Sequence, residues 1–183
     1  MAEALNVEFY DRDLIEAAAK KMNMSVSIAS DLEESARPNR FWRMCFPLGH
    51  DESRKQDELF QVEKKIILDL ADAKSCIIVG RCSDSILKCS KHLLRIFIYA
   101  PYKERLKNCV ERLKMDERTA KEMIRNVDRA RDAYQVRYAG YLPGDFHYTD
   151  LLINSSFLGV EATAQYLTEL VLKKYGSHHI EED

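Results

Sequence analysis

The chain of 183 residues holds six glycines, and none of them falls in a Gly-x-x-x-x-Gly-Lys string. The sequence therefore contains no loop of that kind to cradle a chain of phosphates with backbone N–H groups. Cysteines are few and scattered, at 45, 76, 82, 89 and 109. Their odd number and the lack of any C-x-x-C pair point away from a disulfide framework and from a zinc site, so no metal ligand is assigned. Reduced thiols in a cytoplasmic compartment fit this usage. The formal net charge is only −2, which supplies no field to draw nucleic acid or an anionic lipid surface. No apolar run approaches the roughly 20 residues that span a bilayer. The N-terminus carries Glu3 and no basic segment ahead of an apolar one, so it does not read as a signal peptide. Internal repeats and low-complexity segments are absent as well.

What remains has the composition of a soluble globular protein. Apolar residues make up 46% and charged residues 32%, and the length suits a single domain over residues 1–183 with a substantial core. Met1 to Leu5 reads as the last turns of a helix, and Val7 to Tyr10 as a short strand. Asp11 is placed to cap a helix with Leu14, Ile15, Ala18 and Met22 at helical spacing. Residues 25–53 are irregular and polar, with Pro38, Pro47 and Gly49 as breakers, and hold Arg37, Arg40, Arg43 and the only tryptophan, Trp42. Two readings stand: a substrate flap, or a solvated loop anchored by one indole. A strong helix returns from Arg54 to Ala73, its buried stripe marked by Leu59, Val62, Ile66, Ile67 and Leu70. Ser85 to Ser90 reads as a short helix and turn, and His92 to Ala100 as a strand closed by Pro101. Next comes a helix from Tyr102 to Lys114, with Leu106, Cys109, Val110 and Leu113 facing in. Asp116 then caps a longer helix from Glu117 to about Tyr138. Leu151 to Ile153 is a last strand, and Val160, Ala164, Leu167 and Val171 define a closing helix. Strands alternating with helices predict a three-layer α/β/α fold around a parallel sheet.

The stretch S-C-I-I-V-G-R-C-S-D, from Ser75 to Asp84, carries the main chemical signal. Cys76 to Val79 is an unbroken apolar run suited to a strand buried on both faces. Gly80 turns the chain and Arg81 stands at the strand's carboxyl end, where open α/β sheets bind ligands. A planar guanidinium there suits a phosphate, through two parallel charge-assisted hydrogen bonds. The bland alternative is an ion pair with a surface carboxylate. Cys82, beside Arg81, invites the idea of a lowered thiol pKa, but no histidine stands near it in sequence to make it a nucleophile.

A second signal lies in the helix from Glu117. Arg125, Arg129, Arg131 and Arg137 alternate with Asp128 and Asp132. Arg125 and Arg129 share a face, with Asp128 and either Arg131 or Asp132 near it. Converging arginines suit the charge of a transferring phosphoryl group; the plain alternative is a solvated helix laced with weak ion pairs. Arg81, together with Arg105 after a strand–Pro turn, favours the first. Tyr134, Tyr138, Tyr141 and Tyr148 could stack a base, though anchoring the segment is the simpler role. His178 and His179 read as part of a polar tail rather than as metal ligands.

Five segments in order resemble the cytidylate-kinase-like proteins of the P-loop nucleoside monophosphate kinase group. They are F-Y-D-R-D-L-I (Phe9 to Ile15), C-I-I-V-G-R-C-S-D (Cys76 to Asp84), L-R-I-F-I-Y-A-P (Leu94 to Pro101), D-R-A-R-D-A-Y (Asp128 to Tyr134) and D-L-L-I-N-S-S-F-L-G (Asp150 to Gly159). The resemblance implies ATP and Mg2+ as cofactors and a small-molecule nucleotide as partner. By it Arg81 holds the acceptor's phosphate, Asp11 and Arg12 border the acceptor site, and Asp84 is the nearest carboxylate to it. Arg125, Arg129 and Arg131 belong to a lid, about residues 116–149, over the ATP phosphates. Asp132 orients them or meets the acceptor sugar, and Asn154, Ser155 and Ser156 lie beside the adenine.

The chain departs from that pattern twice. Cytidylate kinases proper flank the Gly-Arg pair with aspartates, where this chain has Val79 and Cys82, which leaves the acceptor open. Family members also begin with a strand and a Gly-rich phosphate loop that this sequence does not contain. A missing mid-sheet strand of ~5 apolar residues, at ~1.5–3 kcal/mol each, forfeits on the order of 10 kcal/mol, which rivals a whole domain's stability. The expectation is that another segment, a second copy of the chain, or sequence upstream of Met1 covers the exposed sheet. As written, the chain is expected to be a poor kinase. The alternative function is a non-catalytic nucleotide-binding or scaffold protein derived from such a kinase.

Overall fold

The computed structural model describes residues 1–11 and 53–176. The proposed helix carrying Leu14 to Met22, Arg12, the flap-like residues 25–52 and the tail with His178 and His179 lie outside the described residues. The chain divides into two compact units. Of the described residues, 1–11, 53–91 and 165–176 belong to the first, and 92–164 to the second.

In the first unit a single turn of helix, α1 (Ala2–Leu5), leads into β1 (Glu8–Tyr10). The helix α2 (Ser53–Ala73) is followed by β2 (Cys76–Ile78) and the short α3 (Ser83–Ile86). β1 and β2 are parallel, with Glu8 opposite Cys76 and Tyr10 opposite Ile78. The Val79 amide donates to the Tyr10 carbonyl at 2.8 Å, which extends the pairing by one step. α2 packs on β2 because its apolar residues recur at helical spacing. Phe60, Ile66 and Ile67 are buried on that stripe, and Leu5, Leu87 and Leu167 are buried elsewhere in the unit. Lys74 bridges to Glu8 at 3.0 Å on the surface.

The second unit holds β3 (Ile96–Tyr99), α4 (Tyr102–Glu111), α5 (Glu117–Ala139), β4 (Leu151–Asn154) and α6 (Ser155–Leu158). β3 and β4 are parallel, Ile96 opposite Leu151 and Tyr99 opposite Asn154. α4 and α5 pack through Cys109, Ala120 and Ile124, with Leu106, Val110, Met115 and Met123 against them. The last helix, α7 (Val160–Tyr175), starts at residues of the second unit and ends in the first. As the sequence predicts, Asp116 caps α5 by accepting the Thr119 amide at 3.0 Å. Gly140 ends the helix in the left-handed conformation, φ 85°.

The observed architecture is mixed α/β with short parallel sheets. Where one parallel sheet was expected, the described residues form two two-stranded sheets, β1-β2 and β3-β4. Among the described residues, β2 and β3 each pair on one edge only. Two sequence expectations are corrected. β2 is half-buried rather than covered on both faces, and Val79 is 49% exposed, because a two-stranded ribbon offers little area to cover it. Leu113 is 48% exposed, because α4 ends at Glu111 and the turn beyond swings it outward. No helix among the described residues is long and apolar enough to cross a membrane.

Candidate functional site

Asp11, Arg81 and Asp84 in the first unit and Asn154 to Ser156 in the second lie where strands end, whereas Arg125, Arg129, Arg131 and Asp132 lie on α5. In the first unit, the register sets Asp11 level with Val79 at the carboxyl end of the sheet, the end at which Arg81 leaves β2. The turn there is left-handed over three successive residues: Gly80 at φ 81°, Arg81 at 56° and Cys82 at 53°. Glycine enters this region without penalty, but each of the other two carries a cost of ~1–2 kcal/mol. The Ser83 amide closes the turn on the Gly80 carbonyl at 3.1 Å. The Cys82 carbonyl then accepts the Ser85 and Ile86 amides at 3.0 and 2.9 Å and starts α3, with Asp84 in its first turn.

Arg81 pairs with a buried carboxylate. Its Nε lies 3.2 Å from Oε1 of Glu63, whose side chain is 1% exposed against 11% for that of Arg81. Glu63 was not singled out from the sequence, yet a signal was there. It falls four residues after Leu59 and three before Ile66, an acid on the apolar stripe of α2. Cys82 is 3% exposed, and its thiol is pushed up to about 12. Burial is the main cause and Asp84 adds to it, outweighing the Arg81 charge. The idea of a lowered thiol pKa is therefore corrected: desolvation dominates, and Cys82 is a packed structural residue.

In the second unit, Arg95 latches the amino end of the sheet. Its amide and Nε donate to Asp150 Oδ2 at 2.8 and 3.1 Å, and Nη2 donates to Oδ1 at 3.0 Å. At the carboxyl end, Asn154 Oδ1 accepts the Ser156 amide at 3.0 Å and the Ser156 hydroxyl at 2.7 Å, which caps α6. The Ser155 hydroxyl donates to the Tyr99 carbonyl at 3.2 Å. Asn154, Ser155 and Ser156 thus form one polar turn bridging β3 and β4, committed mainly to its own geometry.

The arginine helix separates into two faces. With 100° per residue, Arg129 and Asp132 lie within about 40° of Arg125, whereas Arg131 lies about 120° away. Arg131 falls in line with buried Ile124 and Val127, so the structure groups Arg125, Arg129 and Asp132 and sets Arg131 apart. Asp128 goes to a neighbouring helix: Arg105 donates to its two oxygens at 2.7 and 2.9 Å. That bidentate bond raises the Arg105 pKa further, and it clips α4 to α5. Arg125 and Arg129 are exposed and make no hydrogen bond or ion pair among the described residues. Nearer the start of α5 the charges cancel in pairs, Glu117 with Lys121 and Arg118 with Glu122. Tyr141 and Tyr148 stack on each other at 4.0 Å, and Tyr134 meets Tyr138 edge-on at 4.8 Å.

The residues fit the implied cofactors unequally. The exposed guanidinia of Arg125 and Arg129 suit a polyanion such as a triphosphate. No group of three His, Cys, Asp or Glu among the described residues forms a metal cage. A Mg2+ ion would then be held largely by phosphates and water, as that ion commonly is.

Residues 1–157 match the profile of the cytidylate kinase-like family. No curated protein matches the chain. Among solved structures, the chain is similar to an uncharacterized protein from Eubacterium ventriosum ATCC 27560. The two are 22% identical over 93% of this chain and 86% of that one, with a TM-score of 0.68, a likeness of fold.

Proposed function

The chain belongs to the cytidylate kinase-like family, and from that premise we propose that it binds a nucleoside monophosphate or a similar small phosphorylated acceptor and takes part in phosphoryl transfer from ATP to it. The observation that carries this reading is Arg81, held at the carboxyl end of β2 by a left-handed turn and a buried carboxylate. Strained backbone of this kind persists where surrounding structure over-determines it, and it concentrates at sites that bind or react. Arg81 reads the acceptor's phosphate, with Asp11, Arg12 and Asp84 bordering that site. Arg125 and Arg129 meet the donor's phosphates, with Arg131 and Asp132 on the same helix in support, and Asn154 to Ser156 border the base of the donor. The proposed fold is of the P-loop kinase type, in a single kinase-like domain, and the proposed compartment is the cytoplasm. ATP supplies the phosphoryl group when bound. The chain's own residues bind, orient and balance charge.

A second reading is favoured by one observation, the lack of a Gly-rich phosphate cradle in these 183 residues. Under it the chain binds the acceptor without turning it over. Isothermal titration with CMP, UMP, AMP, GMP and ATP, beside a coupled phosphotransfer assay, separates the two. Monophosphate and ATP binding with turnover supports the kinase. Monophosphate binding alone supports the non-catalytic protein. Binding of no monophosphate overturns both.

A further inference from the structure

We infer that Glu63 is the positioning residue for Arg81: its buried carboxylate on α2 fixes the guanidinium at the end of β2 in the orientation that reads a nucleotide's phosphate. The inference rests on the role given to Arg81 above and assigns a part to a residue outside the recognised motifs.

Three observations carry it. Glu63 is fully buried, on the same stripe as Ile66 and Ile67, where an ionised carboxylate is costly unless paired. A pair of this kind is seldom the most stable choice, since well-packed apolar side chains of similar volume commonly do as well or better. Its presence therefore points to something other than stability. Second, the partner is the residue that sits with its neighbour in a conformation rare for side chains with a Cβ, at φ 56° and 53°. A turn so strained needs contacts beyond its own backbone hydrogen bonds to hold its shape, and the 3.2 Å contact from Glu63 is one of them. Third, the contact is made at Nε as an ion pair at 3.2 Å, outside hydrogen-bond geometry. The carboxylate therefore draws the Nε edge of the guanidinium toward α2 by charge, which biases the direction in which the planar fork acts. A lysine at 81 has no such plane, and an uncharged residue at 63 removes this attraction.

The test uses the whole chain and isothermal titration. The probe is whichever of CMP, UMP, AMP and GMP binds most tightly, with the matching nucleoside as the phosphate-free control. Glu63→Gln, which removes the charge of the ion pair, is expected to weaken monophosphate binding about tenfold or more, and to leave nucleoside binding unchanged. Glu63→Asp keeps the charge one methylene further back and should give an intermediate loss, which also serves should Glu63→Gln not fold. Because Glu63 acts through Arg81, the double variant Glu63→Gln/Arg81→Ala should lose no more than Arg81→Ala alone. Folded Glu63 variants that bind the monophosphate like the native chain would overturn the inference. So would losses that simply add in the double variant, or equal weakening of monophosphate and nucleoside, the mark of a purely structural role. A native chain that binds no monophosphate, or an Arg81→Ala variant that binds as well as native, brings down the reading of Arg81 itself and the inference with it.

Discussion

Replacing Gly144 with alanine tests the packing beneath the β3–β4 end of the second unit. Gly144 has φ 75°, and a Cβ built on it would lie 2.6 Å from two ring carbons of Phe97 on β3. Ordinary carbon–carbon contacts lie near 3.5–4.0 Å, so the ring or the loop must move. Two penalties add. The left-handed backbone costs an alanine ~1–2 kcal/mol, and overpacking costs ~1–3 kcal/mol. Gly140 supplies the control, because it is also left-handed, at φ 85°, yet nothing lies within 4 Å of its would-be Cβ. Gly140→Ala should therefore show the backbone penalty alone. At ~2–4 °C per kcal/mol for a chain of this size, Gly140→Ala should lower Tm by about 2–8 °C and Gly144→Ala by about 4–20 °C. Thermal unfolding followed by circular dichroism measures both. In a Phe97→Leu background the excess of Gly144→Ala over Gly140→Ala should shrink toward zero, because the clashing ring is gone. Equal losses for the two glycines in the native background would refute the reasoning, as would an excess that survives removal of the ring.

Arg125→Ala and Arg129→Ala, on exposed side chains without ion pairs among the described residues, should each change stability by no more than ~0.5 kcal/mol while lowering ATP-dependent transfer by about tenfold or more; denaturant melts and a coupled assay check the two halves, and unaltered transfer would remove them from the proposed machinery. Hydrogen bonds from the Thr119 side chain and amide hold the Asp116 carboxyl below its ordinary 3.8. A depressed carboxyl stabilises the fold fully above its unfolded value and loses that contribution as pH falls through the folded one. Native protein should thus lose more Tm between about pH 6 and about pH 3 than Asp116→Asn, which keeps the capping oxygen without the titration; equal losses would show that the cap's charge does not contribute. In native protein at about pH 8, iodoacetamide should alkylate exposed Cys89 well before Cys82, whose thiol is buried and pushed up to about 12. Peptide mass spectrometry reads the order, and equal rates would contradict the burial of Cys82.

Features that depend on neighbours along the chain were legible in the residues alone. The spacing of Leu59, Val62, Ile66 and Ile67 gave α2, Asp116 marked the start of α5, and the Cys76–Val79 run followed by Gly-Arg placed Arg81 at a strand's end. These follow from periodicity, capping and the freedom of glycine, each a property of a few consecutive residues. Which groups separated by long stretches of chain meet became visible in the folded molecule alone. Asp128, surrounded in sequence by Arg125, Arg129 and Arg131, is clasped by Arg105 instead. Glu63 reaches Arg81 across eighteen positions. Charge and hydrogen bonding act over a few ångströms in space whatever the separation along the chain. The left-handed state of Arg81 and Cys82 was hidden for the same reason: local preference opposes it, and the Glu63 contact brought in from α2 helps to hold it in place.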